Sequence, residues 1–496
     1  MKQAIRCFPI ALAALLSSCV VGPKYERPPA PVPAAFKEPP PEGWKEAQPN
    51  EGQLRGKWWE IFNDPDLNAL EEQVSISNQN VLAAEAQFRE AKDLIRIAHA
   101  SLYPTATAGV STTMSQAPFL LGGTAGKSFS NRVTSYETTG GLSWTADIWG
   151  SIRRSVRQDV ALAQASDAQL ENARLAYQSD LAADYFELHG IDGDIDLLTR
   201  TVKEYEDYLT LTESRMHAGV ASGSDVAQAQ TQLEQAKVAL VDLGVARAQT
   251  EHAIAVLIGK PPAEFSVPPK VLTGGPPRIP VGVPSGLLER RPDVAANERQ
   301  MAAALEQVGI TQAAFYPNLT LSANGGFESL ITSPLAWGSR LFSLGSSLTE
   351  TVYDAGKRHA AVNQAKAAFD ATVANYRQTV LSAFQQVEDS LAALRVLEQE
   401  AAEQDAYVSA ANKTLDLTTL QYKAGTTDYL TVITSQTAAF TAERGAVDLR
   451  TRRLQSSVLL IQALGGGWDA SQLPTRQQLM SPATAAAGGG RPAQGS

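Results

Sequence analysis

Few side chains in this sequence stand where they could do chemistry. His99, His189, His217, His252 and His359 are scattered without the spacing that gathers imidazoles on a metal, and each reads as a structural or surface residue. Asp192 and Asp194 are paired carboxylates of the kind used for acid–base work. They lie by Gly190 and Gly193 within a helical stretch, and they read as a solvated surface pair. There is no nucleophile–base constellation and no phosphate-cradling glycine loop, so the sequence argues against an enzyme and asks for no cofactor. A formal net charge of −10 argues against nucleic acid, which would need a basic surface. The thiols are Cys7 and Cys19, both near the N-terminus.

Cys19 has a context that explains it. Lys2 and Arg6 precede an apolar run from Phe8 to Leu16 and then Ser17-Ser18-Cys19, the order of a secretory signal peptide over residues 1–18. Leu16-Ser17-Ser18-Cys19 resembles the bacterial lipobox, in which the cysteine is lipidated and becomes the first residue of the mature chain; the other reading is a plain signal peptide with an incidental cysteine. Covalent lipid on Cys19 would be the only prosthetic group, and its several acyl chains suffice for stable anchoring. Val20 follows where aspartate would stand, which in such lipoproteins resembles sorting to the outer membrane.

The elements behind this anchor occur twice. Gly150, Gly219 and Gly259 recur as Gly356, Gly425 and Gly465, each 206 positions later. Between them run sevenfold apolar lanes, Leu181, Leu188, Ile195, Val202, Leu209 and Met216 in the first copy. Val373, Val380, Val387, Leu394, Ala401, Val408, Leu415 and Tyr422 form the second. Such a lane keeps one seam of a helix on a partner helix. Helices over 151–218 and 357–424 would be roughly 100 Å long at 1.5 Å per residue, with returning helices over 222–258 and 427–464. The turns between them carry Gly219 and Gly425, suited to left-handed C-caps, then hydroxyl residues suited to N-caps. Gly190 and Gly193 predict a kink or swelling in the first long helix.

Ahead of each long helix, Tyr103-Pro104 and Tyr316-Pro317 end a shorter helix and the period becomes twofold. Residues 105–115, 133–146, 318–328 and 341–353 read as strands, with loops around Gly122, Gly123 and Gly126 and around Ser333 and Pro334. Their faint dyad of small, hydroxyl and apolar residues is that of transmembrane barrel strands. Four strands cannot close such a barrel, which takes at least about eight, and an open edge in lipid is not viable. Copies of the chain must therefore complete it. The fold class is mainly α with a small β part: duplicated long helical hairpins forming an α-barrel, and four strands per protomer entering a shared transmembrane barrel. The chain divides into a Pro-rich N-terminal segment over 19–64, a first repeat over 65–260, a linker over 261–290, a second repeat over 291–468 and a disordered tail over 469–496.

Several stretches together resemble outer-membrane efflux lipoproteins of the TolC superfamily, in the OprM/NodT branch. They are Cys19-Val20-Val21-Gly22-Pro23-Lys24-Tyr25-Glu26-Arg27-Pro28, Leu287-Leu288-Glu289-Arg290-Arg291-Pro292-Asp293-Val294, the two Tyr-Pro junctions, Tyr422-Lys423-Ala424-Gly425 and Ala463-Leu464-Gly465-Gly466-Gly467-Trp468. The resemblance implies a homotrimer, lipid-anchored in the outer membrane and extending into the periplasm. Its β-barrel would have twelve strands, and an equatorial belt would be built partly from the chain ends. The partners implied are a periplasmic adaptor and an inner-membrane pump of the resistance-nodulation-division (RND) type. The expected function is the exit duct of a tripartite small-molecule efflux system. The alternatives are the duct of an ABC-driven (type I) protein secretion system and a lipid-anchored coiled-coil scaffold without a pore.

By the same resemblance, the start of the last returning helix lines a periplasmic gate. Leu430 matches the family's constricting leucine, its other reading being a buried packing residue. Thr434 stands where relatives carry an acidic side chain. Asp428 and Asp225 would supply negative charge there or act only as helix caps. Gly219 and Gly425 would form the adaptor-docking tips, or cap helices and nothing more. If Cys19 carries the lipid, Cys19→Ser abolishes labelling by radioactive palmitate while the barrel keeps the protein in the membrane; labelling that survives the substitution refutes the anchor.

Overall fold

The computed structural model describes residues 20–39, 41, 56–120, 128–281, 284–329 and 337–481. Cys19 and the loops around Gly122, Gly123, Gly126, Ser333 and Pro334 lie outside the described residues. Helix α1, Pro65–Ser77, starts at Asp64, whose carboxylate accepts from the N–H groups of Asp66 and Leu67, with proline at the first helical position. Asn78 ends α1 and caps α2, Gln79–Ala100, so the helical stretch ahead of Tyr103-Pro104 is two helices. Strands β1, Thr105–Leu120, and β2, Ser128–Ala146, follow. They lead into α3, Ser151–His217, and its return α4, Gly223–Leu257. The second copy comprises α5, Pro292–Ala313, β3, Asn318–Ser329, β4, Arg340–Thr349, α6, Lys357–Lys423, and α7, Tyr429–Ala463. The long helices have 67 residues in both copies and the returning helices 35. No helix among the described residues is long and apolar enough to cross a membrane.

The strands form one antiparallel sheet in the order β1-β2-β3-β4, so β1 and β4 are its edges. Paired residues share a face, and the register sorts the side chains cleanly. Leu142 opposes Ala323, which opposes Leu344; Trp144 opposes Leu321, which opposes Ser346; Ala146 opposes Leu319, which opposes Leu348. Val110 and Phe342 lie on this same apolar face, and Leu344 is 82 % exposed in the protomer. The opposite face carries Thr107, Ser111, Thr139, Ser143, Thr320, Ser322, Asn324, Ser343 and Ser347. Tyr103, Tyr316 and Tyr353 are exposed near one end of the sheet, and Trp149 stacks on Tyr316 at 4.7 Å between ring centres. An apolar band flanked by aromatic side chains is how a barrel wall meets lipid. Pairing runs to Leu120 and Ser128, past the expected first-hairpin ends, and β4 stops at Thr349 rather than Tyr353. Ladder hydrogen bonds continue where side-chain alternation has faded.

The largest core lies where the two repeats meet, between α1, α3, α6, α7 and the segment joining the repeats. Leu181, Leu188, Val380, Val387 and Leu394 of the two lanes are buried there; further toward the tips the lanes are half-buried until Tyr422, which is buried again. Two expectations are corrected, one about the paired aspartates and one about the tail. Asp192 and Asp194 are not a solvated pair. Asp192 is buried and accepts hydrogen bonds from Arg247 Nε (2.7 Å), the Lys270 amide (3.0 Å) and His189 (3.0 Å), and Asp194 pairs with Arg444 at 3.4 Å. Gly190 and Gly193 do not interrupt α3, which is continuous through them. A β-carbon at Gly190 would come within 2.4 Å of Thr451 Oγ1, and one at Gly193 within 3.1 Å of Val447. These glycines let α7 lie close against α3. The tail is ordered over residues 469–481, and 482–496 lie outside the described residues: α8, Arg476–Met480, has a capping box from Thr475 and buries Leu479 against Ile95, Val156 and Val160. That single apolar residue supplies the burial which composition alone did not signal.

The N-terminal segment is extended and strapped along the helices. Val21 N–H donates to Trp149 O at 3.2 Å. The buried Arg154 donates to Val21 O and Pro23 O and pairs with Glu306 at 2.7 Å. Lower down, Arg27 bonds Tyr376, and the amides of Lys37 and Glu38 donate to the Glu388 carboxylate at 2.8 and 2.9 Å. The segment joining the repeats is similarly held, with Val267, Ile279 and Val281 buried and Lys270 bonded to Asp64 at 2.8 Å.

Two buried carboxylates make opposite contributions. Burial works against ionised Asp192, but the hydrogen bonds from His189 and Arg247 hold its carboxyl below the usual range. Glu71 is fully buried with neither oxygen bonded, and burial pushes its carboxyl well above that range. Asp192 therefore stabilises the fold above the ordinary carboxylate pKa, and this contribution is lost as pH falls through its lowered value. Asp192→Ala should cost about 2 kcal/mol near neutral pH, because it removes the acceptor shared by Arg247, His189 and the Lys270 amide while Arg247 keeps Glu251 and Val267 O. Glu71→Leu should cost nothing or stabilise, because the penalty of its raised pKa grows above about pH 4. Thermal melts of both variants at pH 7 check the contrast.

Candidate gate at the helix tips

The two hairpins end in matching turns. Gly219 and Gly425 take φ of 74° and 78°, the left-handed region that glycine enters at little cost, as their sequence context predicts. The Val220 amide reaches back to Arg215 O, and that of Thr426 to Gln421 O, so both turns satisfy the last carbonyls of the preceding helix. Ser222 and Asp225 then form a reciprocal capping box at the start of α4. Asp428 caps α7 by accepting from Thr431 N–H at 3.0 Å and from its hydroxyl at 2.5 Å. These bonds from Thr431 hold the exposed Asp428 carboxyl below the usual range, so it is ionised at neutral pH. Both aspartates thus cap helices, and Asp428 also presents a charge at the surface.

Leu430 occupies the first turn of α7 and is 58 % exposed in the protomer, so it is not a buried packing residue within one chain. Thr434 lies one turn further on the same side, also exposed, with its hydroxyl donated to Leu430 O at 2.9 Å. It offers neither charge nor a free hydroxyl proton at that level. Behind Leu430, its neighbours Tyr429 and Val432 are buried with Tyr422 and Ala229, which fixes this face of the helix. Burial raises the Tyr429 phenol above its usual range and keeps it neutral.

A latch between the two tips was not foreseen from sequence. Arg215, in the last turn of α3, donates from Nη1 to Tyr422 O at 2.8 Å and to Lys423 O at 3.4 Å, and lies 4.5 Å over the Tyr422 ring. A guanidinium on the final carbonyls of α6 also complements that helix's dipole. Tyr208 and Thr419 share a 2.6 Å hydrogen bond one turn higher. The available signal was a basic residue in a last helical turn, facing an aromatic residue that closes the partner's lane. The structure brings Leu430, Asp428, Gly219 and Gly425 together at this end, with Asp225 and Thr434 beside them.

Arg215→Ala should loosen the end of α6 by about 1 kcal/mol, roughly a fivefold rise in its population of open states. Amide hydrogen exchange over residues 419–426 reads this directly, with exchange in the Asp192 region unchanged.

Comparison with known proteins adds to this geometry. The family model described as "Outer membrane efflux protein" matches residues 70–260 and 283–466. The toluene efflux pump outer membrane protein TtgC of Pseudomonas putida is 29 % identical over 459 residues, covering 92 % of this chain and 94 % of that one. The pyoverdine export outer membrane protein OpmQ of Pseudomonas aeruginosa is 29 % identical over 464 residues, covering 92 % and 97 %. Among solved structures, the outer-membrane channel OprN superposes with a TM-score of 0.83 at 27 % identity, over 91 % of this chain and all of that one.

Proposed function

Because this chain belongs to the outer membrane efflux protein family, we propose that it works as the exit duct between a periplasmic adaptor, an inner-membrane RND-type pump and the exterior. It is an outer-membrane efflux channel of the TolC-like fold, a trimer whose helical barrel continues into a β-barrel, and its family consists of channels rather than enzymes. The observation that carries the duct is the two-faced sheet. Its apolar face suits lipid and its hydroxyl-lined face suits water, and it runs directly into the paired 67-residue helices. A poreless scaffold would have no use for that polar face. The relatives are named for toluene efflux and pyoverdine export, not for protein secretion, which favours a small-molecule cargo.

The tips around Gly219 and Gly425 are the surface offered to the adaptor, and lipidated Cys19 is the anchor. Three copies of exposed Leu430, brought near the axis, form the hydrophobic constriction, while ionised Asp428 supplies the negative charge at its mouth. The latch at Arg215 holds this arrangement shut at rest.

Single-channel recording on the purified trimer tests the gate. Leu430→Ala should raise conductance several-fold while Thr434→Ala does much less; an unchanged Leu430→Ala trimer places the constriction elsewhere. Asp428→Asn keeps the cap but removes the charge, so it should weaken cation preference without changing helix content.

A further inference from the structure

We propose that acyl chains carried by Cys19 seat in a groove on the apolar face of the sheet, so that the lipid fastens the barrel wall as well as the N-terminus. This rests on the lipoprotein reading of Cys19. The groove has a volume of about 470 Å³ and is lined by Pro104, Leu142, Trp144, Leu321, Ala323 and Leu344. Its shape follows from the register. On one rung the small Ala323 lies between Leu142 and Leu344, and on the next Leu321 lies between Trp144 and the small Ser346. Large side chains make the walls and small ones the floor. Trp144 is fixed in place because its indole N–H donates to Leu102 O at 2.9 Å.

The position of the chain next to Cys19 supplies the occupant. Val20 packs over Gly150, where a β-carbon would lie 3.1 Å from the valine side chain, and Val21 is bonded to Trp149 O. Trp149 in turn donates its indole N–H to Pro317 O at 2.8 Å, one residue before β3. Val20 therefore lies at the foot of β2 and β3, a few residues from the Trp144–Leu321 rung, and the lipid-bearing position is the residue before it in sequence. The other face of the sheet is polar, so acyl chains extend over the apolar face alone. Covalent attachment at this distance gives them a high effective concentration over free membrane lipid.

Cells fed a photoactivatable palmitate, followed by irradiation and peptide mass spectrometry of the isolated trimer, test this. The expected result is a cross-link from lipidated Cys19 to peptides containing residues 142–144, 321–323 or 344, lost in Cys19→Ser. Ala323→Phe, which fills the floor, should cut these cross-links at least several-fold while trimer and Cys19 lipid mass remain. Cross-links that persist in Cys19→Ser would assign the groove to free phospholipid and overturn the proposal. An even spread onto Val110, Met114 and Phe342 would overturn it as well. An N-terminal peptide without lipid mass would refute the lipoprotein reading itself, a result distinct from either.

Discussion

A backbone N–H or C=O left unpaired in hydrocarbon costs several kcal/mol, and the rest of this molecule is organised around that fact. Four strands in the order β1-β2-β3-β4 leave two edges, and in lipid an edge can be satisfied only by another chain. Association is thus imposed by the sheet rather than added to it. The same constraint explains the weak hydrophobicity of the strands. Only alternate residues meet lipid, and the others face water, so Leu, Phe and Val alternate with Ser, Thr and Asn. Below the membrane the polar backbone is satisfied within each helix, and a wall of helices can extend through water with no edge to protect.

The helical part solves a different problem, which is to hold long rods in register. Heptad lanes bury one side of each rod, but burial is dense only in the core where the repeats meet. There the glycine contacts of α3 with α7 set the spacing, and Asp192 ties α3, α4 and the connecting segment into one polar node. Toward the tips, apolar clusters are small and discrete hydrogen bonds such as Arg215 to Tyr422 O hold the hairpins together. Stability is therefore graded along the rod. The end proposed to open is the end held by a few separable contacts.

Much of this was legible in the sequence because the signals were local and repeated. The 206-residue offset reproduces the bounds of both hairpins, and Tyr-Pro marks where helix gives way to sheet. The caps at Gly219, Gly425, Ser222 and Asp428 were readable for the same reason. What could not be read depended on which surface arrives opposite. Gly190 permits a close neighbour, but only the fold shows that this neighbour is Thr451. Asp192 looked solvated because its partners, Arg247 and Lys270, lie far along the chain. Leu479 sits in a stretch of low apolar content, and a single buried leucine leaves no periodicity to detect. At the gate, Leu430 came from family likeness, whereas the Arg215 latch needed the two tips to be placed side by side.

Equal helix lengths in the two copies have a consequence for symmetry. Both turns finish at the same level, so a trimer presents six nearly equivalent backbone stations on one flush rim instead of three. A ring-shaped partner would meet a scaffold of quasi-sixfold symmetry. The side chains break it. Leu430 corresponds to Ser224 in the other copy, Asp428 to Ser222 and Arg215 to Gln421. The rim repeats six times while every residue suited to closing the pore repeats three times. Seating and closure are thereby assigned to different symmetries of the same structure, and one can evolve without disturbing the other.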